Sequence, residues 1–560
     1  MSKSVGFTEI KLQHRRPRRI LVQITVIVST LWALFHTLSG LGEQLYPEPA
    51  KESSQSSVDW ESHAAFTQSL SHILQLLPNE HQTKELLSPI KLTGEPRLKE
   101  YGIRTRQYKQ LYEAWETLHL NKTTPNRFIQ DNVIQRLYEN PSIATILGED
   151  ITSIVHGYET YRSTITHLAT LLFPWTTPYF ADHLQLRQQL YSAGRGLVFT
   201  AGNGQVRYLL TSIPSIRRLG CTLPIEVMYL GDEDLSPTSR AALEALPGVV
   251  TRDLHKMIND SGWKLRGWAG KPFAVLFSSF REVIFIDADS LFLQNPAILF
   301  DDFAYRDTGA LFFKDRLIMP ESKREWMQKV LPEPISSKAQ EVRLWDGQSG
   351  HMQESGVLVI DTYRHFLSLL LVTRMNGPDR DGNKEKGIRG VYDMLFGEFS
   401  SSMKKRCTGL TKKIGDKETF WLGWELVGDT DYAFHNGSVG TMGVAHAHAP
   451  DSNSLPSPSP DSSVPSKVYT VCAPQLLHLD RMGRPLWFNG WLLENKFAEA
   501  GKRRPVKFET FVREEGREPN WELKEGNVCC LTSKKMFSLS QEESDILDMI
   551  IAAGRRAEAF

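Results

Sequence analysis

Two aspartates separated by one small residue, Asp287-Ala-Asp289, close an apolar run, Val283-Ile-Phe-Ile286. The run is β-branched or aromatic throughout and reads as a strand buried on both faces. Alternate residues at a strand end project in similar directions, so the two carboxylates can converge on one cation. Oxygen-only ligation suits a hard ion such as Mg²⁺ or Mn²⁺, and such ions also take diphosphate oxygens. An acidic turn closing a strand is the plainer explanation of the same residues. The surrounding elements bear on the choice.

From Gly196 the chain alternates strands and helices. Leu197 to Ala201 reads as a strand, Gly202-Asn-Gly204 as a tight loop, and Gln205 to Leu219 as a helix. Ile225 to Leu230 is a second strand, followed by a helix over 236–245 and a short strand near Val249. A helix over 271–280 then feeds the Asp-Ala-Asp strand. Such alternation implies a parallel sheet with right-handed crossovers, which binds ligands beyond the carboxyl ends of its strands. Gly202 and the two aspartates fall at that edge. The glycines would let backbone approach a nucleotide closely, although the loop matches neither a Walker loop nor a full G-x-G-x-x-G pattern.

Further on, 309–313 and 354–361 are strand candidates, and Tyr363 to Met375 is an apolar helix. Lys417 to Glu425 is helix-like, with Asp416 as its N-cap. Trp421 and Trp424 on that helix fit a core role better than a sugar platform. Strand-like sequence resumes over 468–472, and His478 and Arg484 then flank a rigid turn before Pro485.

Composition bounds the class. The 560 residues are 41% hydrophobic and 23% charged, as expected of a packed globular protein. Formal net charge is zero, which argues against a nucleic-acid binder that relies on a basic surface. Five cysteines lack zinc-site spacing and are too few for a disulfide scaffold; their pairing is not legible from sequence.

The organisation reads as a polar tail, 1–19, ending in four arginines, and then an uncharged apolar run, 20–41. As a helix that run covers about 33 Å, enough to cross a bilayer, and it is longer than the core of a cleavable signal peptide. The arginines would stay cytoplasmic, a type II arrangement with the rest lumenal. A Ser-rich stem (42–65), a helical subdomain (66–190), a catalytic domain (191–500) with a low-complexity loop (450–467), and a charged, helical C-terminal extension (501–560) follow. Asn121, Asn259 and Asn436 begin glycosylation sequons, in keeping with a lumenal domain.

Together, the segment from Lys271-Pro-Phe to Asp287-Ala-Asp289 and on to Asn295-Pro296 resembles the donor site of GT-A glycosyltransferases. With Gly204-Gln-Val-Arg-Tyr-Leu-Leu210, Glu354-Ser-Gly356, Asp416-Lys-Glu-Thr-Phe-Trp421 and Pro485-Leu-Trp-Phe-Asn-Gly490, the chain resembles the fungal α-mannosyltransferases of glycosyltransferase family 71 over about 190–495. The resemblance implies a GT-A-like, Rossmann-like fold with a mixed, mostly parallel sheet flanked by helices. It also implies GDP-mannose as donor, a mannoside glycan of a glycoprotein as acceptor, Mn²⁺ (or Mg²⁺) as cofactor, a Golgi anchor, and association with other Golgi mannosyltransferases.

By the same resemblance, Asp287 and Asp289 hold the metal, and Asp287, Gly202 and Lys271 contact the donor. His478 and Arg484 resemble the His-x₅-Lys-Pro-Trp element of glycogenin-like enzymes. His478 would then be the third metal ligand and Arg484 a phosphate contact, although arginine replaces lysine and Leu486 interrupts Pro-Trp. Transfer would retain the anomeric configuration, with Asp416, Glu418 and Glu354 as carboxylates for the reacting face. An α-1,3 linkage is expected, with α-1,2 as the alternative within the family. A non-catalytic lectin-like protein on the same fold, or a hydrolase of sugar nucleotides, are readings from other classes. Topology is directly checkable: protease added to sealed microsomes should spare everything beyond about residue 45, and digestion of the large domain in intact vesicles would overturn the type II arrangement.

Overall fold

The structure, a computed structural model, describes residues 56–120, 129–177, 180–383, 388–396, 416–449, 467–494, 504–516, 520–524 and 528–559. The basic tail, the apolar run 20–41, Asn121 and nearly all of the loop 450–467 lie outside these residues. Among the described residues no helix is long and apolar enough to cross a membrane. Two units divide at Phe66. Of the first, only the opening of a helix, Ser56–Leu76, is described, and it begins inside the stretch expected to be a stem. Thr67–Phe560 forms the second unit and holds every element below.

Its centre is a seven-stranded sheet. The strands are β1 (Arg195–Thr200), β2 (Ile225–Tyr229), β3 (Val249–Asp253), β4 (Glu282–Ile286), β6 (Ala310–Lys314), β7 (Gln353–Asp361) and β10 (Ala433–Phe434), in the order β10-β6-β7-β4-β1-β2-β3. β1, β2, β3 and β4 run parallel, as do β10 and β6, whereas β7 is antiparallel to both of its neighbours. The sheet is thus mixed and mostly parallel, as the resemblance implied; the alternation alone implied a parallel sheet, from which antiparallel β7 departs. β4 is apolar from Val283 to Ile286 because it lies mid-sheet and all four residues are fully buried.

The chain leaves this sheet after Ile286, passes through Asp287-Ala-Asp289, and enters a second sheet at once as β5 (Ser290–Phe292). Asp287 N donates to Gly356 O at 2.8 Å and Ser290 N to Asp287 O at 3.0 Å, which pins the turn to β7. Apart from two-residue β8 (Gly382–Asn383) and β9 (Ile388–Arg389), the remaining strands are C-terminal. They are β11 (Val439–Gly443), β12 (Ala445–His448), β13 (Val468–Ala473), β14 (Leu476–Leu479), β15 (Pro485–Asn489), β16 (Thr510–Arg513), β17 (Asn520–Leu523), β18 (Cys529–Ser533) and β19 (Phe537–Ser538). The second sheet runs β19-β16-β11-β14-β15-β5, and a third runs β12-β13-β18-β17. The two aspartates therefore sit where two sheets meet.

The C-terminal segment differs from the helical extension expected of it. Four strands precede its one helix, Gln541–Arg556, and β16 pairs with β11 inside the second sheet. Leu547 and Ile550 of that helix share a core with Met442, Leu477, Phe488, Trp491 and Phe511. Charge on the outer face had hidden this inner apolar stripe. The N-terminal helices are also tied in. From the helix Gly94–His119, Arg106 donates to the carbonyls of Glu425 and Leu426 at 2.8 and 3.0 Å. It thereby satisfies the open C-terminal end of the helix Thr419–Val427.

Cys472 and Cys530 stand directly opposite each other on β13 and β18 and form a disulfide. Cys221 and Cys529 are buried thiols. Cys407 lies outside the described residues.

His183, at the start of the helix His183–Tyr191, is fully enclosed. Its Nδ1 lies 2.6 Å from the Tyr108 hydroxyl and its Nε2 3.2 Å from Thr176 Oγ1, so a neutral imidazole is satisfied at both nitrogens. Burial lowers its pKa to about 3. In the unfolded chain the value is about 6.5. The unfolded state therefore takes up a proton that the native state refuses. This contribution is complete above about pH 6.5 and is lost as pH falls towards 3. His183→Gln keeps one donor and one acceptor but cannot titrate. Thermal melts from pH 7.5 to 5 should show the wild-type midpoint falling more steeply than the variant's, and parallel curves would contradict this.

Candidate active site

A cleft of about 390 Å³ opens beyond the carboxyl ends of β1, β2 and β4, lined among others by Gly202, Arg207, Tyr208, Trp268, Asp287 and Asp289. Gly202 is required there by close approach, because a Cβ on it would lie 2.3 Å from Asp234 Oδ1. Gln205 Oε1 accepts the Gly202 N–H at 3.1 Å and so closes the loop on itself.

Beneath the cleft Lys271 is only 3% exposed. Its Nζ bonds Asp287 Oδ2 at 2.8 Å, Asp416 Oδ2 at 3.1 Å and Ser355 Oγ at 3.2 Å. Burial works against the Lys271 charge, yet Asp287 and Asp416 outweigh it and raise the pKa above the ordinary value. Burial lifts Asp287 to about 7 despite Lys271, and the neighbouring charges of Asp289 and Asp416 add to the rise. Lys271 was expected to touch donor. In the structure its ammonium is held by Asp287, Asp416 and Ser355, beneath the cleft lining.

Asp416 was expected to cap a helix from 417. The helix begins at Thr419, and the Asp416 side chain accepts from Ser355 Oγ at 2.9 Å as well as from Lys271. Lys417 bridges Asp315, at 3.0 Å, and Glu354. Glu354 Oε1 also accepts from Asn489 Nδ2 at 2.8 Å and Gly356 N at 3.0 Å. Glu418 points inward and accepts from Met352 N at 2.8 Å and from Trp421 Nε1. Trp421 and Trp424 are both fully buried, as core residues.

From the distant C-terminal element, His478 lies in a hairpin core with its Nε2 buried and without a hydrogen-bond partner among the described residues, and Arg484 lies against Glu543. Among the described residues no group of three or more His, Cys, Asp or Glu side chains is disposed to hold a metal. His478 pairs across the β14–β15 hairpin with Trp487 and stacks on it, ring centroids 4.0 Å apart, with Phe313 edge-on at 5.3 Å. Burial holds its pKa well below the ordinary value, and its charged neighbours are Asp315, His435, Arg316 and Lys417. Arg484 forks onto Glu543, Nε to Oε1 at 3.0 Å, in the first turn of the C-terminal helix. That pairing engages the fork, and Arg484 is not among the residues that line the cleft. The sheet does reach Asp289 by another route, Trp491 N donating to Asp289 O at 3.3 Å. Asn259 and Asn436 are exposed.

Arg207, Trp268, Asp315 and Lys417 were not singled out from sequence. Arg207 and Lys417 lie inside motifs that carried the resemblance, Gly204-Gln-Val-Arg and Asp416-Lys-Glu. Asp315 follows a strand end, as Asp287 does.

A family model described as "Mannosyltransferase putative" matches residues 194–480, half of the chain. The chain belongs to this mannosyltransferase family. The match spans both sides of the cleft, from β1 to β14. A relative, "Putative alpha-1,3-mannosyltransferase MNN14" of Candida albicans, is 27% identical over 330 residues, 53% of this chain and 42% of the relative. "Alpha-1,3-mannosyltransferase MNT3" of Saccharomyces cerevisiae is 26% identical over 323 residues, 56% of this chain and 48% of the relative. The chain thus spans less than half the length of either. Among solved structures, core-mannan synthase A from Aspergillus fumigatus, in its Mn/GDP form, is 9% identical and overlays with a TM-score of 0.25, over 46% of this chain and 74% of that one. A likeness at that level decides neither donor nor metal.

The Arg484–Glu543 pair can be separated from ligand binding by mutation. Arg484→Ala leaves the Glu543 carboxylate with only its capping bond from Ser540 N, and should cost about 1 kcal/mol, read as a melting midpoint a few degrees lower. Affinity for a sugar nucleotide should be unchanged, and a selective loss of that affinity would return Arg484 to the site.

Proposed function

We propose that this chain is a retaining α-mannosyltransferase that takes mannose from GDP-mannose to a mannoside acceptor on glycoproteins. The observation that carries the reading is the pair Asp287 and Asp289 at the floor of a cleft within the family-matched segment. The names of the relatives support α-1,3 linkage over α-1,2. The disulfide between Cys472 and Cys530 suits an oxidising compartment. With the exposed sequons and the apolar run after the arginines, it supports a type II Golgi protein with a lumenal catalytic domain.

The floor fits a hard divalent cation, Mn²⁺ or Mg²⁺. Asp287 and Asp289 present oxygen only, and burial raises the Asp287 pKa, with the nearby carboxylates of Asp289 and Asp416 adding to the rise. Such ions are held by one or two carboxylates plus substrate phosphates, so the absence of a third ligand cluster among the described residues is no obstacle. When bound, the ion supplies charge neutralisation at the departing diphosphate. The chain's own residues do the rest. Lys271 fixes Asp287 and Asp416 against each other, and Lys417 with Asn489 fixes Glu354. The buried setting strengthens each charge–charge contact.

The full-length chain in detergent, offered a panel of sugar nucleotides with and without mannoside acceptors, should consume GDP-mannose only with acceptor and yield an α-linked product. Release of free mannose without acceptor would indicate a hydrolase. Binding of mannoside with no turnover of any donor would indicate a lectin. Asp287→Ala or Asp289→Ala should lower transfer about 10³-fold in protein that still folds, and full activity in either would remove the pair from the site.

A further inference from the structure

Arg207 lies in the first turn of the helix Val206–Arg218 and lines the cleft with Gly202, Asp287 and Asp289. Its guanidinium is 5.5 Å from the Tyr208 ring centroid, and Tyr208 in turn packs on Trp491 with centroids 4.4 Å apart. Arg207 Nε is buried and has no hydrogen-bond partner. Among the described residues the side chain enters no ion pair. The other cations considered for this site are all committed. Lys271 is held by Asp287 and Asp416, Lys417 by Asp315 and Glu354, and Arg484 by Glu543. A charged donor buried without an acceptor is costly unless a ligand brings one. The cleft has carboxylates on its floor, yet Arg207 pairs with none of them.

We propose that Arg207 is the residue that grips the diphosphate of the nucleotide donor. This rests on the reading of the cleft as a sugar-nucleotide site and assigns the cation that Arg484 does not supply. A planar guanidinium matches two phosphate oxygens at once, in a way an ammonium does not. In transfer, the bond between the anomeric carbon and the β-phosphate oxygen breaks and its electron pair stays on that oxygen. The acceptor hydroxyl forms the new bond and gives up its proton to the released diphosphate. Arg207 meets the charge that gathers on the leaving group, so it contributes to binding and more strongly to the bond-breaking step. Tyr208, itself packed on Trp491, lies against the guanidinium.

Calorimetric binding of guanosine, GMP and GDP to the full-length chain in detergent, with Mn²⁺ and with EDTA, separates the contributions. Wild type should bind GDP well above guanosine. Arg207→Gln should weaken GDP about 10- to 100-fold and guanosine less than about 2-fold, with an unchanged melting midpoint. Arg207→Lys, which keeps the charge and folds under the same constraints, should recover part of the GDP affinity. Equal loss of guanosine and GDP would make Arg207 a shaper of the cleft, and wild-type GDP affinity in Arg207→Gln would remove it altogether; either result overturns the assignment. If wild type binds no nucleoside diphosphate, the sugar-nucleotide reading falls and this assignment falls with it.

Discussion

One buried ammonium organises the site. Lys271 reaches from its short helix, Gly270–Leu276, to a strand end at Asp287, to β7 through Ser355, and to Asp416 just before the next helix. Four segments far apart in sequence meet on one charge. An ammonium at such depth is tolerable only with opposite charge and full hydrogen bonding around it, and removing one partner of a buried pair costs about 3–5 kcal/mol. The turn at Asp287 is therefore held by electrostatics as well as by the apolar strand that precedes it. Any movement of Asp287 towards a ligand must stay within reach of Lys271.

A second network sits beside the first, and the two share two dipeptides. Successive residues on a strand face opposite ways. Ser355 joins Lys271, and its neighbour Glu354 joins Lys417. In the turn before the helix Thr419–Val427, Asp416 joins Lys271, and Lys417 answers Asp315 and Glu354. Each ammonium thus faces two carboxylates; around Lys271 this leaves a formal excess of one negative charge before Asp289 is counted, whereas Arg316, 3.7 Å from Asp315, balances the second cluster. Burial of these groups makes the excess matter. In Asp287 burial raises the pKa to about 7, and the charges of Asp289 and Asp416 add to the rise against Lys271.

Local pattern carried the part of this that sequence revealed. A four-residue apolar run ending in Asp-Ala-Asp read as a buried strand whose acidic end was open to two explanations, a turn or a cation site, and the alternation of strands and helices around it placed that end at the ligand edge of a parallel sheet. Asp416 and Glu354 were named as candidate carboxylates from motif position, and the structure brings both into the two linked networks. What sequence could not show was direction. The spacing of His478 and Arg484 fixed a hairpin, β14 turning into β15, but cross-strand pairing sent the histidine ring onto Trp487. Arg484 was claimed by Glu543, 59 residues further on, in a helix whose apolar stripe was masked by surface charge. Long-range partners of this kind leave no local signal. Arg207 escaped notice for the opposite reason: its interest lies in having no partner, and absence of a partner is invisible in a sequence.

The sign of the floor constrains how an anionic ligand can bind. A diphosphate approaching Asp287 and Asp289 meets repulsion unless positive charge arrives from elsewhere, and at contact distance in a partly buried cleft such repulsion amounts to several kcal/mol. Lys271 and Lys417 cannot relieve it, since both are already outnumbered by carboxylates. Relief must come either from a cation bound between the carboxylates and the phosphates or from the wall of the cleft. The wall offers Arg207, on the helix that follows β1, while the floor offers the aspartates at the end of β4, and β1 and β4 are hydrogen-bonded neighbours. Their parallel register brings the two strand ends to the same edge of the sheet. The fold therefore sets Arg207 on the wall of a cleft whose floor carries Asp287 and Asp289.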